Sequence, residues 1–408
     1  RMKPSSGRRQ GKQSGAPGTS LCLVDVPDHV VDVFPPECAG CGLALPELSA
    51  GFARRQCHDI PPRSVAVTET RWHQVVCGCG VVTCEPVPAG VPDCPYYGPN
   101  LAALAAYLLV FQHVPVERAA QLISDVTGAA VSTGWVSSQL VKTAGLVAAP
   151  NKLIAALLVL AHVLHADETA TRVADASRWL HVACTDKLTL FTLAPRSRAG
   201  AETAGVLQHF RGTMVHDALW LYRGFPDAEH QLCVAHVVRE LTACDERFPG
   251  QISAPQIRWA LAEMIKVADK TREQGLDRIP PQDLRRWLIY YDSAIQAGLD
   301  RHPVNPFADK QSKETNLLLR LRDHRDEYLR FTRDLTVPAT NNAAERDLRP
   351  VKTQLKISGC HHSETGAKNW LAVRSYLVSA IKHGLTAFDA LHRAMTGHVW
   401  MPPIGLPA

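Results

Sequence analysis

Beyond the cysteine-rich residues 21–95, strand-like sequence is confined to one short part of this chain, and helical sequence bounds it on both sides. Between residues 165 and 225, apolar and β-branched residues cluster in three runs that indicate short strands. Those runs lie at 179–183, 188–193 and 212–216. Residues 100–164 and 233–335 carry their apolar residues at helical spacing instead. A sheet formed by so short a stretch must bury its faces against helices from elsewhere in the chain, and we therefore predict an α/β fold.

The composition excludes several classes of protein. Of the 408 residues, 46% are hydrophobic and 20% are charged, which is close to the average for globular proteins. Wholesale disorder, collagen-like repeats and coiled coils are thereby excluded. The longest apolar stretches, at 101–111 and 153–164, fall short of the ~18–20 residues that a membrane-spanning helix needs, so we expect no membrane partner.

The net charge of +5 arises in the first twenty residues, which carry five basic groups and no acidic one. These groups are Arg1, Lys3, Arg8, Arg9 and Lys12. Because this tail is also rich in Gly, Ser and Pro, we expect a flexible segment that can lie along nucleic acid. A merely solvated terminus fits the composition equally well. The tail lacks the apolar segment of a signal peptide, which favours the cytoplasm.

Eight of the twelve cysteines lie within residues 21–95, where short β-rich runs indicate a small module. Two cysteine pairs stand in glycine-containing turns: Cys38 with Cys41, and Cys77 with Cys79. Four thiolates in two such turns can close a tetrahedral site, so we predict a structural Zn²⁺ ion here. Buried free thiols are the alternative to a metal site. The second pair has one intervening residue instead of two, which leaves other ligands open. They are Cys57, His58, His73 and Cys84.

Three carboxylates stand at positions that favour function when they are taken together. Asp167 follows an apolar strand-like run, and Asp217 directly follows the run at 212–216, so we predict that both end strands. Glu345 lies in the first turn of a helix that Thr340 or Asn341 would cap. Taken singly, each acid is explained by a turn or by the helix dipole. As a set, they can hold two divalent cations ~3.5–4 Å apart for attack on a phosphodiester.

The residue after Asp167 is also acidic, and the strand geometry separates the two. Successive side chains of a strand point to opposite faces of the sheet. If Asp167 faces the site, Glu168 is predicted to face away from it.

These motifs, in this order, resemble the transposases of the insertion sequence 66 type. The family belongs to the larger group that uses an Asp-Asp-Glu triad on a ribonuclease-H-like fold. The resemblance extends over nearly the whole chain. Its most specific part is the block around Glu345. The other motifs lie at residues 165–169, 230–236, 239–241, 356–360 and 374–376.

The resemblance implies a function and a site. Asp167, Asp217 and Glu345 take the three metal-binding positions, with Mg²⁺ or Mn²⁺ as the cofactor. The implied enzyme is a DNA transposase that cuts and joins the ends of a bacterial insertion sequence by two-metal hydrolysis and strand transfer. Its partners would be element ends and target DNA, and we expect a homo-oligomer on DNA, associated with the nucleoid. Two alternatives stay open: a ribonuclease-H-like nuclease without strand transfer, and an inert DNA-binding protein derived from a transposase.

Basic residues follow Glu345 and offer contacts for phosphate. We predict that Arg346, Arg349, Lys352 and Lys356 bind DNA, on a helix that Pro350 interrupts. A solvated helix face is the competing explanation. From residue 341 to 400 there are eight basic and four acidic residues, and the eight include Arg374 and Lys382. Residues 115–140 have the spacing of a helix-turn-helix, but with Arg118 as their single basic residue they favour a packed helical hairpin.

The predicted architecture is a ribonuclease-H-like core interrupted after its fourth strand by an all-helical insertion, and preceded by a small zinc-binding β module and a helical region. Its segments are a basic tail (1–20), the zinc module (21–95), the helical region (96–164), the first part of the core (165–232), the insertion (233–338), and the second part of the core with its Glu-bearing helix (339–400).

Overall fold

The computed structural model describes residues 21–59, 65–88, 91–92 and 94–404. The predicted basic tail, residues 1–20, lies outside the described residues. The chain divides into two compact units, residues 1–63 and residues 64–408. In the first unit an isolated bridge pairs Glu37 with Ala44. The helices and strands named below all belong to the second unit.

The second unit contains helices and strands in the order that the sequence pattern indicates. Its strands are β1 (Gln74–Val76), β2 (Val82–Cys84), β3 (Val163–Val173), β4 (Ala176–Cys184), β5 (Thr189–Ala194), β6 (Thr213–His216) and β7 (Glu229–Leu232). Its helices are α1 (Pro99–Ala106), α2 (Val116–Thr127), α3 (Thr133–Leu146), α4 (Ala148–Val159), α5 (Arg198–Glu202), α6 (Val234–Arg247), α7 (Ser253–Glu273), α8 (Pro281–Arg301), α9 (Lys313–Asp323), α10 (Arg325–Tyr328), α11 (Asn342–Ile357), α12 (Glu364–Lys382) and α13 (Ala387–Met395).

A five-stranded mixed sheet forms the centre of this unit, with the strand order β5-β4-β3-β6-β7. Strands β3, β4 and β5 are antiparallel neighbours, whereas β6 and β7 run parallel to β3. The prediction of an α/β fold is therefore confirmed. The helical segment follows the fifth strand and not the fourth. Strand β7 escaped prediction because its four residues are mostly polar and it has no apolar run.

Helices cover both faces of the sheet, as the alternation along β4 shows. Leu180 and Val182 pack in a hydrophobic cluster with residues of α11, α12 and the first helices of the chain. Ala183, between Val182 and the end of the strand, packs on the opposite face with α4 and the segment after β6. A third cluster fills the space among helices α6 to α9. The helical segment therefore has a hydrophobic core of its own.

Serine side chains cap two helix starts. Ser132 Oγ accepts a hydrogen bond from Trp135 N at the start of α3, and Ser363 Oγ accepts one from Gly366 N at the start of α12. Helix α2 and helix α3 pack into the core through buried Ile123 and Val136, in accord with a helical hairpin.

Helix α11 differs from its prediction in two respects. Asn341 precedes it but makes no capping bond with its side chain. Pro350 does not interrupt it, because the helix continues to Ile357. A proline inside a helix costs about 3 kcal/mol, and burial of Leu348 and Val351 in the core offsets that cost.

In the part of the chain that the structure describes, no single helix is both long and apolar enough to cross a membrane. The bent pair Thr133–Leu146 and Ala148–Val159 meets the length and composition requirement when its two helices are joined.

Candidate active site

The pairing of β3 with β6 brings Asp167 and Asp217 to neighbouring positions. In this parallel pair Val163 lies opposite Thr213, and the pairing ends where His165 lies opposite Val215. The two aspartates are as far apart in sequence as the two residues of each of these pairs. Asp167 and Asp217 therefore each lie two residues beyond the last paired position. Strand β6 ends at His216, which makes Asp217 the first residue after the strand.

The structure corrects the predicted location of Asp167, which does not end its strand. Strand β3 continues to Val173 as a hairpin with β4, and Asp167 pairs with Val182 within it. The apolar run before Asp167 is only the first half of the strand. On the other edge of β3 the pairing with β6 ends at His165, so in the described part of the chain that edge has no strand partner beside Asp167.

Helix α11 brings Glu345 to the same place. Glu345 lies in the first turn of this helix. It lines a cavity of about 390 Å³ together with Asp167, Glu168 and Asp217. The structure therefore brings the three predicted carboxylates together, although Glu345 lies 128 positions after Asp217 in the sequence.

A fourth carboxylate, that of Glu168, also lines this cavity, and the prediction that Glu168 faces away from the site is wrong. Its side chain is 3% exposed. Tyr222 Oη donates to Glu168 Oε2 at 2.6 Å, and Arg196 Nη2 donates to Oε1 at 2.9 Å. The side chains of β3 do alternate, but within the described residues no strand pairs with the β6 edge of β3 beyond His165, and both Asp167 and Glu168 line the cavity there.

The carboxylates share an excess of negative charge. Burial raises the pKa of Asp167 to about 7, and the negative charges of Glu168 and Asp217 add to this rise. A hydrogen bond from Glu168 N to Asp167 Oδ1, 2.8 Å long, opposes it. Burial, followed by the charge of Glu168, also raises the pKa of Asp217. Carboxyl groups shifted in this way are stabilised as anions when a cation approaches.

His216 holds the turn that carries Asp217. Its Nδ1 donates to the carbonyl oxygen of Asp217, and its Nε2 accepts from His230 Nδ1 at 2.9 Å. Burial lowers the pKa of His216 to about 3, and the proximity of His230 contributes. His216 is therefore neutral, with its proton on Nδ1, and supplies orientation rather than charge.

Four basic side chains line the cavity, and two of them were not predicted. Arg196 and Arg239 were missed, whereas Arg349 and Lys352 belong to the predicted DNA-binding set. Arg196 is bound to Glu168 and lies over the Trp179 ring at 4.2 Å. Arg239 Nη2 lies 3.3 Å from Glu345 Oε1. Arg239 stands in a motif that the sequence singles out, but no signal in the sequence marks Arg196.

Arg349 and Lys352 are exposed and form no ion pair within the described part of the chain. At 100° per residue they continue the stripe of Glu345 along α11, and Lys356 extends it by one more turn. Arg346 lies about 100° away from this stripe. Neither Arg346 nor Lys356 lines the cavity.

Two of the eight basic residues counted near the site are not available to phosphate. Lys382 Nζ lies 2.7 Å from Asp347 Oδ2 in a mostly buried ion pair. Arg374 is 6% exposed and donates to the carbonyl oxygen of Val110. Counting basic residues in the sequence could not distinguish Lys382 and Arg374, which make internal contacts, from the exposed basic residues.

The donor set of the cavity fits a hard divalent cation. Its carboxylate oxygens are the ligands that Mg²⁺ and Mn²⁺ prefer, and burial, with a smaller contribution from the neighbouring carboxylates, raises the pKa values of Asp167 and Asp217. Within the described ranges, no three His, Cys, Asp or Glu side chains lie close enough to form a complete metal site. Glu345 Oε1 instead lies near Arg239 and 3.8 Å from His236 Nδ1.

The two predicted zinc-binding pairs belong to different units of the chain. Cys38 and Cys41 lie in residues 1–63, and Cys77 and Cys79 lie in residues 64–408. Each pair occupies a tight turn, and hydrogen bonds from backbone amides, chiefly that of Cys41, lower the pKa of Cys38. The backbone amide of Cys79 lowers the pKa of Cys77 in the same way. A lowered pKa favours the thiolate that binds metal, and the four-cysteine zinc site stays a prediction.

Metal analysis tests this zinc site. Purified protein is expected to contain about one zinc per chain, because the site needs four thiolates for one tetrahedral ion. Replacing both Cys38 and Cys41 by Ser should bring the zinc content close to zero. The control variant replaces Cys22 and Cys94, which are exposed and outside both pairs. An equal loss of zinc in the control, or none in the test variant, would contradict the assignment.

Comparison with known proteins yields a family match. The family model described as "Transposase IS66 family" matches residues 95–369, which include all three predicted carboxylates. None of the curated proteins matches the chain.

Proposed function

Because the chain belongs to the IS66 family of transposases, we propose that it is a metal-dependent DNA transposase that cuts and joins the ends of an insertion sequence. The observation that carries the proposal is the convergence of Asp167, Asp217 and Glu345 on one cavity with exposed basic residues at its rim. The mixed five-stranded sheet supports a ribonuclease-H-like core. Asp167 lies on β3, and Asp217 directly follows β6, the parallel neighbour of β3.

In this proposal the carboxylates of Asp167, Asp217 and Glu345 would hold Mg²⁺ or Mn²⁺. A bound divalent cation supplies acidified water and stabilises charge on the phosphate and the leaving oxygen. The chain's own contribution is placement: β3 and the end of β6 orient the aspartates, and α11 brings the glutamate. Arg349 and Lys352 bind the phosphates that approach the cavity.

The proposal is tested with a labelled duplex that carries the ends of the element and a second duplex as target. We expect Mg²⁺-dependent cleavage, followed by joining of the freed 3′ ends to the target, with both reactions abolished by a chelator. Cleavage without joining favours the nuclease. Binding without cleavage in Mg²⁺ or Mn²⁺ favours the inert DNA-binding protein.

The salt dependence of DNA affinity tests the basic stripe of α11. The logarithm of affinity falls with the logarithm of salt concentration, with a slope of about 0.9 per phosphate contact. Replacing Arg349 and Lys352 together by Ala should reduce that slope by about two. The matched control replaces Lys270 and Lys313, exposed lysines on α7 and α9. A slope that the test variant leaves unchanged, or that the control reduces as much, would show that these two side chains make no specific phosphate contacts.

A further inference from the structure

One asparagine connects the segments that carry the predicted carboxylates. Asn341 directly precedes α11 and is 0% exposed. Its Nδ2 donates to the carbonyl oxygen of Ala166 at 2.8 Å, and its Oδ1 lies 3.0 Å from His165 Nδ1. Its backbone amide donates to Cys233 Sγ at 3.2 Å. These partners lie more than a hundred residues away in sequence, which is unusual for an asparagine at a helix start.

The side-chain bonds of Asn341 have a defined direction. Because a carbonyl oxygen only accepts, the group that faces Ala166 is the amide nitrogen, and Oδ1 therefore faces His165. An amide oxygen also only accepts, so His165 Nδ1 donates to Oδ1. Both ends of the amide are bound by strand β3, so Oδ1 is not the acceptor for a backbone amide of the first turn of α11.

These bonds act on the positions of the carboxylates. Ala166 is the residue directly before Asp167. Glu345 N donates to the carbonyl oxygen of Asn341 at 3.2 Å, so Asn341 begins the turn of α11 that carries Glu345. Cys233 precedes α6, whose residues His236 and Arg239 approach Glu345.

We propose that Asn341 is a positioning residue that holds Glu345 at a fixed place relative to Asp167. The effect of this role on cation binding rests on the proposed function. If Glu345 and Asp167 bind a cation jointly, that binding depends on Asn341. A residue with this role resembles the outer-shell partners of metal ligands, whose loss weakens metal affinity about 10–100-fold.

Two variants separate this role from simple stability. Asn341→Ala removes the amide, and Asn341→Asp keeps its size and the acceptor for His165 but removes the donor to Ala166. Ser375→Ala is the matched control, since Ser375 is also 0% exposed and its Oγ accepts from Phe191 N and donates to the carbonyl oxygen of Leu371. The control removes a buried link between a strand and a helix that does not reach the cavity.

The first readout is hydrogen exchange of the metal-free protein. Both Asn341 variants should lose protection of the backbone amide of Glu345, which bonds to Asn341, and of the amides that follow it in α11, whereas Ser375→Ala should retain it. Unchanged protection in the folded Asn341 variants overturns the proposal, whatever the protein binds.

The second readout is Mn²⁺ affinity by calorimetry without DNA. We expect Mn²⁺ binding about 10–100-fold weaker in the Asn341 variants and unchanged in Ser375→Ala. Equal affinity in all three variants also overturns the positioning role. If the unmodified protein binds no Mn²⁺ but the Asn341 variants lose protection, the proposed metal-dependent function fails while the structural link stands.

Discussion

Replacing Asp167, Asp217 or Glu345 by its amide is expected to abolish metal-dependent cleavage of element ends. Asp167→Asn, Asp217→Asn and Glu345→Gln keep the size of each side chain but remove one negative charge. Two cations packed closely repel each other, and they bind only where several anionic oxygens offset that repulsion. We expect each variant to lose at least about 100-fold in rate, the scale observed when one preorganised electrostatic group is removed.

DNA binding should survive these substitutions, because the charge that is removed repels phosphate. Binding by a gel-shift assay in a chelator should therefore be equal to or slightly tighter than that of the unmodified protein. The control for Glu345→Gln is Glu364→Gln, which changes a carboxylate in the first turn of α12, outside the cavity. Retained cleavage in any of the three variants would falsify the role of that residue.

Glu168 does not serve as the control for this experiment. Strand alternation predicted a mild effect of Glu168→Gln, but its carboxylate lines the same cavity and is bound by Tyr222 and Arg196. The amide would weaken the bond from Arg196 and reduce the negative charge that raises the pKa of Asp167. We therefore expect Glu168→Gln to reduce the cleavage rate by more than strand alternation alone predicts.

Lys382→Met should destabilise the fold by about 3–5 kcal/mol, because it leaves the carboxylate of Asp347 buried without its countercharge. Lys382 Nζ donates to Asp347 Oδ2, to Thr189 Oγ1 and to the carbonyl oxygen of Thr185. Thr189 Oγ1 also donates to Asp347 Oδ2 at 2.6 Å. The network joins α11, α12 and β5. Urea denaturation with and without the substitution measures the loss.

The double variant Asp347→Leu with Lys382→Met should recover most of this loss, because no buried charge then remains unpaired. Lys266→Met is the control for removing a paired lysine at the surface, since Lys266 is exposed in its ion pair with Glu263. It should change stability by less than about 1 kcal/mol. Equal losses of stability in Lys266→Met and Lys382→Met would show that burial does not increase the contribution of the Lys382–Asp347 ion pair to stability.

Local hydrophobic patterning determined three strands of the central sheet. Apolar runs predicted β4, β5 and β6, because this signal depends on residues close together in sequence. The order of motifs was sufficient for the family, and the family match confirms it. Strand β7 lies beyond such reasoning, since parallel pairing with β6, and not an apolar pattern, makes its short polar sequence a strand.

Tertiary structure alone decided how the residues at the site meet. The open edge of β3 places Glu168 beside Asp167, although strand alternation by itself sends the two side chains apart. Packing of Leu348 and Val351 carries α11 through Pro350, so that Arg349 and Lys352 continue the stripe of Glu345. Local sequence determines the secondary-structure propensity of each residue. It does not determine which strand edge stays unpaired or which distant group accepts a hydrogen bond. Those depend on contacts between segments far apart in sequence, such as β3 with β6 or Asn341 with Ala166. Such contacts outweigh local preference because they decide what is buried.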